Sequence, residues 1–181
     1  IWISPLRALA KDIGRAMEEV ISELGMNWRI GIRNGDTDTA ERARQKRQMP
    51  EVLIITPESM HLLLAQKGYA AQFDSLKIIA VDEWHELIGS KRGVQVELAI
   101  SRIIQSQWQQ KKTKPQVWGI SATIGNLEQA RQVLLSPLQI DGVIVKAQLR
   151  KDIVVESVIP EQIENYPWAG HLGIKLVDKV I

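Results

Sequence analysis

The stretch Leu76–Leu87, LKIIAVDEWHEL, constrains the fold more than any other part of the chain. An apolar run, Leu76 and Ile78–Val81, stops at two adjacent acids, Asp82 and Glu83. An unbroken apolar run of this kind suits a strand buried on both faces of a parallel sheet. Acids at its carboxyl end lie on the rim where open α/β sheets bind ligands. One acid can hold a magnesium ion there, directly or through its water, because magnesium prefers a few carboxylates plus substrate phosphates. The other can orient or deprotonate a water for attack on phosphorus. His85 follows on the same turn and can sense that group by hydrogen bonding. Taken alone, the acid pair favours the plainer reading of a strand end with solvated carboxylates.

The surrounding chain changes that balance, because strand and helix patterns alternate along it. Ile1–Ser4, Trp28–Ile32, Val52–Ile55, Gln116–Ile120 and Val143–Val145 read as further strands. Between them, Leu6, Leu9, Ile13, Met17, Val20, Ile21 and Leu24 recur at helical spacing, with Ser4 as the expected cap, Pro5 at the first helical position and Gly25 as the stop. Asp38 and Glu41 form a capping-box pair ahead of a basic surface helix, Arg42 to Arg47. Thr56-Pro57 opens a helix with Met60, Leu63 and Leu64 on its apolar stripe. Gly89–Gly93 reads as a basic loop, followed by a helix from Val94 to Gln107 with Val94, Leu98, Ile100, Ile103 and Ile104 turned inward. Asn126 or Thr123 caps a last helix ending near Leu135. The alternation predicts an α/β fold with a doubly wound parallel sheet. The pattern changes near Lys146, so residues 1–150 are expected to form one domain and 151–181 a linker or the start of another.

Composition narrows the function classes. The 181 residues suffice for one domain with a real core. With no cysteine, thiolate metal sites and disulfides are excluded. No run approaches the ~20 apolar residues of a membrane span. A cytoplasmic, membrane-free protein is expected. The opening IWISPLRALA has no basic leader or cleavage signature, and both ends read as cuts from a longer protein. A formal charge of +2 means that nucleic-acid binding must come from local patches.

Four polar clusters fall at strand ends: Ser4-Pro5-Leu6-Arg7, Thr56-Pro57-Glu58-Ser59, Asp82-Glu83-Trp84-His85 and Ser121-Ala122-Thr123. In a parallel sheet these ends share one rim. One such cluster is ordinary capping; four together, with an acid pair in one, are site-like. Helix amino ends after Ser4 and Thr56 offer free N–H groups that suit phosphates, and Arg7 adds a charged donor. Glu58 cannot attract phosphate, so it is expected to cap or to orient neighbours. Ser121 and Thr123 also fit simple helix capping. Arg42–Arg47, Lys91 and Arg92 fit a solvated face better than a nucleic-acid contact. Trp84 and the other tryptophans fit packing, and His61 a structural role. A metal cluster around His85 is disfavoured because no second histidine lies at ligand spacing.

The order SPLRALA, NGDT, TPES, DEWH, SAT resembles the first motor domain of superfamily-two DExH-box helicases. TPESMHLLL before the box and KRGVQVELAISRI after it are similar to the Lhr-type branch, and look most like the bacterial ligase-associated DExH helicases. The resemblance covers nearly the whole chain and implies a RecA-like fold with helices on both faces, truncated at both ends. It implies ATP and Mg2+ as cofactors, with Asp82 on the metal, Glu83 activating the hydrolytic water and His85 linking nucleotide state to the motor. Ser121 and Thr123 would couple the rim to the nucleic-acid face. Pro5, Leu6, Arg7, Gly35, Asp36, Thr56, Pro57 and Glu58 would track a DNA or RNA strand without sequence preference. A Gly-Lys-Ser/Thr phosphate loop does not occur in the sequence. In this family that loop precedes SPLRALA, so the resemblance implies partner segments in the remainder of the protein: the phosphate loop, a first strand whose loss leaves an open sheet edge, and a second motor domain. It further suggests 3′-to-5′ movement and DNA-repair partners, and a chain inactive by itself. A non-catalytic nucleic-acid-binding module and a different phosphoryl-transfer enzyme on a similar sheet are the competing readings.

Overall fold

The computed structural model describes residues 1–111, 114–122, 124–147 and 154–155. Ile1–Ile144 form one compact unit. Its strands are β1 (Trp2–Ile3), β2 (Ile30–Arg33), β3 (Val52–Ile55), β4 (Ile78–Val81) and β5 (Gln116–Gly119). Its helices are α1 (Arg7–Glu23), α2 (Thr39–Arg47), α3 (Pro57–Leu64), α4 (Tyr69–Gln72), α5 (Trp84–Leu87), α6 (Lys91–Lys111) and α7 (Leu127–Leu135), followed by a 3-10 turn at Ser136–Leu138. The strands form one parallel sheet in the order β2-β3-β1-β4-β5. All five carboxyl ends therefore lie on one rim, as the alternating pattern predicts.

Both sheet faces are covered, and side-chain alternation shows by what. Ile3, Leu53, Ile55, Ile79 and Val81 point into the main core with Met60 and Leu63 of α3, Trp84 of α5, and Val96, Ile100 and Ile103 of α6. Ile32 and the fully buried Ile54 point the other way, against Gly14 of α1. The central strands thus bury both faces, which is why β3 and β4 carry continuous apolar sequence. No helix among the described residues is long and apolar enough to cross a membrane.

Several local expectations hold. Asp38 caps α2 by accepting from the Glu41 N–H at 2.7 Å, and the apolar-poor α2 buries only Gln45. Thr56 caps α3 with Pro57 in its first turn. Met60, Leu63 and Leu64 are buried, and His61 is a structural contact, its Nε2 lying 2.7 Å from the Gln95 carbonyl.

Others do not. Ser4 does not cap α1: it is buried, its N–H donates to the Ile55 carbonyl, and the helix begins only at Arg7 after an uncapped Leu6. The sheet ladder claims Ser4 before the helix can. The 89–93 stretch is not all loop, because α6 starts at Lys91, with Ser90 Oγ accepting from the Gly93 N–H at 3.1 Å. Its buried stripe runs through Val96, Ala99, Ile100, Ile103 and Gln107, so Val94 and Leu98, one turn apart on the far side, are exposed. Val143–Val145 forms no strand, and both valines are almost fully exposed. Apolar residues without a neighbouring strand have no ladder to join. The expectations for residues 151–181 lie outside the described residues, apart from the exposed Val154 and Val155.

The amino ends of β2 and β3 are clamped by an ion pair. Arg29 donates from Nε and from its second guanidinium nitrogen to the two Glu51 carboxylate oxygens, at 3.1 and 3.0 Å, and its backbone N–H adds a third bond at 2.9 Å. Those hydrogen bonds hold the Glu51 carboxyl at about 2, against an ordinary 4.5. The folded value is depressed, so the pair's stabilisation is complete above the unfolded value and disappears as pH falls from about 4.5 toward 2. Both side chains are more than a third exposed, so the effect is screened to about 1 kcal/mol. Glu51→Gln should lower the melting temperature near neutrality and flatten its fall below pH 4.5. Parallel acid-side slopes in melts of the two proteins would contradict this clamp.

Candidate active site at the sheet rim

β4 delivers Asp82 to the rim, where the Asp82 N–H donates to the Ile3 carbonyl at 2.9 Å. Its carboxylate is anchored twice. Oδ1 accepts from the Glu83 N–H at 3.0 Å, and Oδ2 accepts from the Trp2 indole Nε1–H at 3.3 Å. Glu83 then takes a left-handed backbone, φ 48° and ψ 45°. A non-glycine residue held there costs about 1–2 kcal/mol and persists only where its surroundings impose it. The surroundings are visible: the next residue, Trp84, donates its backbone N–H to the Ile120 carbonyl at 3.0 Å. Its buried indole donates to the Ala130 carbonyl at 3.0 Å. Trp84 is the packing residue that the sequence suggests.

That bend places His85 beside the end of β5. His85 Nδ1 lies 3.1 Å from Ser121 Oγ and 3.4 Å from Glu83 Oε2, and receives the Ala122 N–H at 3.3 Å. A backbone N–H can only donate, so Nδ1 accepts, and the neutral ring carries its proton on Nε2, 3.6 Å from Glu86 Oε1. In that tautomer Nδ1 offers Glu83 no proton, so their 3.4 Å approach is neither an ion pair nor a hydrogen bond. Ser121 does not cap α7; Asn126 does, accepting from the Gln129 N–H at 3.1 Å. Thr123 lies outside the described residues.

The other rim clusters are neighbours of this centre. Pro5 and Leu6 line a cavity of about 380 Å³ together with Glu83, His85, Glu86, Leu87 and Arg92. Arg7 pairs with Asp36 at 3.2 Å, and its guanidinium lies over Gly35, where a Cβ would stand 3.1 Å from Nη1. The SPLR and NGDT segments are thereby joined. Arg7 still exposes most of its side chain, so further donors face solvent. Thr56 is buried, with its hydroxyl accepting from the Ser59 N–H at 3.4 Å and hydrogen-bonded to the Glu58 carboxylate. Glu58 orients a neighbour, as expected of it: Arg92 donates to its two carboxylate oxygens at 2.7 and 3.2 Å. Burial pushes the Glu58 carboxyl up, but the Arg92 hydrogen bonds and charge, with hydrogen bonds from the residue's own backbone N–H and from Thr56, together outweigh it and hold the group below the usual range. Arg92 is therefore not merely a solvated cation. Sequence reasoning also passed over Trp2 as a polar participant; only the parallel register of β1 and β4 reveals it.

The donor set fits magnesium. Asp82 offers one fixed carboxylate, and no group of three or more metal-ligating side chains exists among the described residues. Magnesium takes few protein ligands and completes its shell with phosphate oxygens and water.

Comparison with known proteins gives this geometry a family. The DEAD/DEAH box helicase family matches residues 1–130. The ATP-dependent helicase Lhr-Core of Methanothermobacter thermautotrophicus is 30% identical over 88% of this chain and 19% of its own length. That of Sulfolobus acidocaldarius is 32% identical over 99% of this chain and 21% of its own length. The chain thus spans about a fifth of these relatives. The structure of Mycobacterium smegmatis helicase Lhr bound to ssDNA and AMP-PNP superposes with a TM-score of 0.64 and 31% identity, covering 74% of this chain and 18% of that one. The chain is a RecA-like α/β domain that belongs to the DEAD/DEAH box helicase family, and its likeness within that family is to the Lhr-type helicases.

Proposed function

We propose that the protein is an ATP-driven nucleic-acid motor and that this chain supplies one half of its ATPase site together with a strand-tracking face. Residues 1–150 would be the first RecA-like domain and 151–181 its connection to the second. The observation that carries the reading is the His85–Ser121 contact at 3.1 Å beside the anchored Asp82–Glu83 pair. Hydrolytic and coupling residues on adjacent parallel strands can report to each other through one side chain.

In this reading Asp82 holds Mg2+, which supplies charge neutralisation of the phosphates when bound. Glu83 orients and deprotonates the attacking water. His85 accepts from Ala122 and contacts Ser121, so a shift in Glu83 alters the end of β5. Ser121 and Thr123 couple that end to the strand-tracking face formed by Pro5, Leu6, Arg7, Gly35, Asp36, Thr56, Pro57 and Glu58. Of these, Arg7 and the backbone N–H groups contact phosphates, whereas Asp36 and Glu58 hold Arg7 and Arg92 in place. No Gly-Lys-Ser/Thr loop occurs in the sequence, so residues beyond it grip the triphosphate. Duplex unwinding in DNA repair is the setting we infer from the Lhr-type likeness, and the ssDNA and AMP-PNP held by the relative of 31% identity support both ligands.

The full-length protein tests this directly. Its ATP hydrolysis should depend on added single-stranded DNA or RNA, and the stimulation should weaken as salt rises from 50 to 200 mM, since phosphate contacts release counterions. Hydrolysis indifferent to any strand favours a different phosphoryl-transfer enzyme. Strand binding without hydrolysis favours a non-catalytic binding module. Either result overturns the proposal.

A further inference from the structure

We propose that Trp2 is a positioning residue for Asp82, its indole N–H fixing the orientation of the carboxylate that meets the metal. The argument begins with register. Trp2 of β1 pairs with Ala80 of β4, and Ala80 pairs with Trp118 of β5. Residues in register on parallel strands point to the same face, and so does Asp82, two positions beyond Ala80. Trp2 has Ile54 beside it on the β3 side and only the small Ala80 on the β4 side, where Asp82 lies. Its ring can lie along the sheet toward the rim rather than stand up from it.

The distance fits. Two residues of strand span roughly 6.6 Å, within the reach of an indole ring laid along the strand. The Nε1–H arrives 3.3 Å from Asp82 Oδ2. The rest of the ring lines an apolar cavity with Ile13, Met17 and Trp118. In such surroundings an indole N–H seeks an acceptor, and the one it has is a carboxylate. The two anchors are complementary. The Glu83 N–H holds Oδ1 from its own strand, and Trp2 holds Oδ2 from the neighbouring one. With both in place the plane of the carboxylate is set, and each oxygen keeps a lone pair for a ligand. With Trp2 removed, one bond remains and the group can rotate about it. Partners of this kind are worth 10–100-fold in metal affinity at other sites.

The bond itself stands apart from the function proposed above; its role in holding the metal rests on that function. The experiment separates the two. In the full-length protein without nucleotide, ultraviolet resonance Raman reads hydrogen bonding at the indole N–H, and subtracting the Trp2→Phe spectrum isolates Trp2. The expected difference band is that of a hydrogen-bonded indole, and it should move to the unbonded position in Asp82→Ala. In parallel, the Mg2+ concentration giving half-maximal binding of a fluorescent ATP analogue should rise about ten-fold in Trp2→Phe, with single-strand affinity unchanged. An unbonded Trp2 indole, a band indifferent to Asp82→Ala, or an unaltered Mg2+ requirement each overturns the proposal. If Trp2→Phe does not fold, the difference between wild type and Asp82→Ala still reads the same band. If the wild type binds no nucleotide, the motor reading fails while the Raman result decides the bond.

Discussion

Glu83→Gln in the full-length protein lowers kcat for strand-stimulated ATP hydrolysis by about 10²–10⁴-fold, the usual contribution of a positioned general base, and leaves nucleotide binding intact. Glutamine has nearly the volume of glutamate and keeps an acceptor oxygen. It cannot take a proton from water. The left-handed backbone at residue 83 is imposed from outside, because Trp84 is pinned on one side by the Ile120 carbonyl and on the other by the Ala130 carbonyl. The substitution therefore meets the same strain as the native residue and should leave the fold unaltered. No hydrogen bond to His85 is lost, because Nδ1, 3.4 Å away, offers the carboxylate no proton.

The prediction separates turnover from binding. Steady-state hydrolysis should collapse while a fluorescent ATP analogue titrates as before and single-strand affinity persists. Hydrolysis within a few-fold of wild type would remove Glu83 from the chemistry. The acid pair would then be the solvated strand end that those residues, taken alone, favour. A loss of binding as large as the loss of turnover would point instead to a role in holding the phosphates.

The sheet is legible in the sequence because burial on two faces demands unbroken apolar runs, and VLII and IIAV provide them at β3 and β4. The rim clusters are legible for the same reason: once the strands are parallel, their carboxyl ends must coincide. Features settled by tertiary competition are not. Ser4 looks like a helix cap until the Ile55 carbonyl takes its N–H. Val94 and Leu98 look like core until the phase of α6 is fixed by Val96, Ile100 and Ile103. Val143–Val145 carries strand-forming residues and has no strand to join. At the site, the identities of Asp82, Glu83 and His85 can be read, but their wiring cannot. The Trp2–Asp82 bond and the His85–Ser121 contact cross 80 and 36 positions of chain. Spacing along the sequence carries no record of either.

The second large effect concerns Gly93, where the basic segment after the box turns into α6. A Cβ built there would stand 2.1 Å from the Leu87 carbonyl oxygen and 2.8 Å from its carbon. Both are backbone atoms, so no side chain can step aside. Nor can the carbonyl, since it accepts from the Ser90 N–H at 3.0 Å and from Ser90 Oγ at 2.6 Å. Gly93→Ala must therefore displace the first turn of α6 from α5. Val96, Ile100 and Ile103 follow on the same helix and fill the core beneath, so the displacement spreads into packed side chains. We expect a loss of about 3 kcal/mol, the upper part of the range for overpacking. For a domain of 150–250 residues that corresponds to a fall in melting temperature of roughly 6–12 °C. Gly89→Ala is the matched comparison. Gly89 has φ +74° and nothing within 4 Å of a built Cβ, so alanine there meets backbone strain alone, about 1–2 kcal/mol. If Gly93→Ala melts within a degree of wild type, or above Gly89→Ala, the close approach of α5 and α6 is not what holds this corner. The Glu58–Arg92 pair, set one residue from Gly93, would then owe its place on the rim to something else.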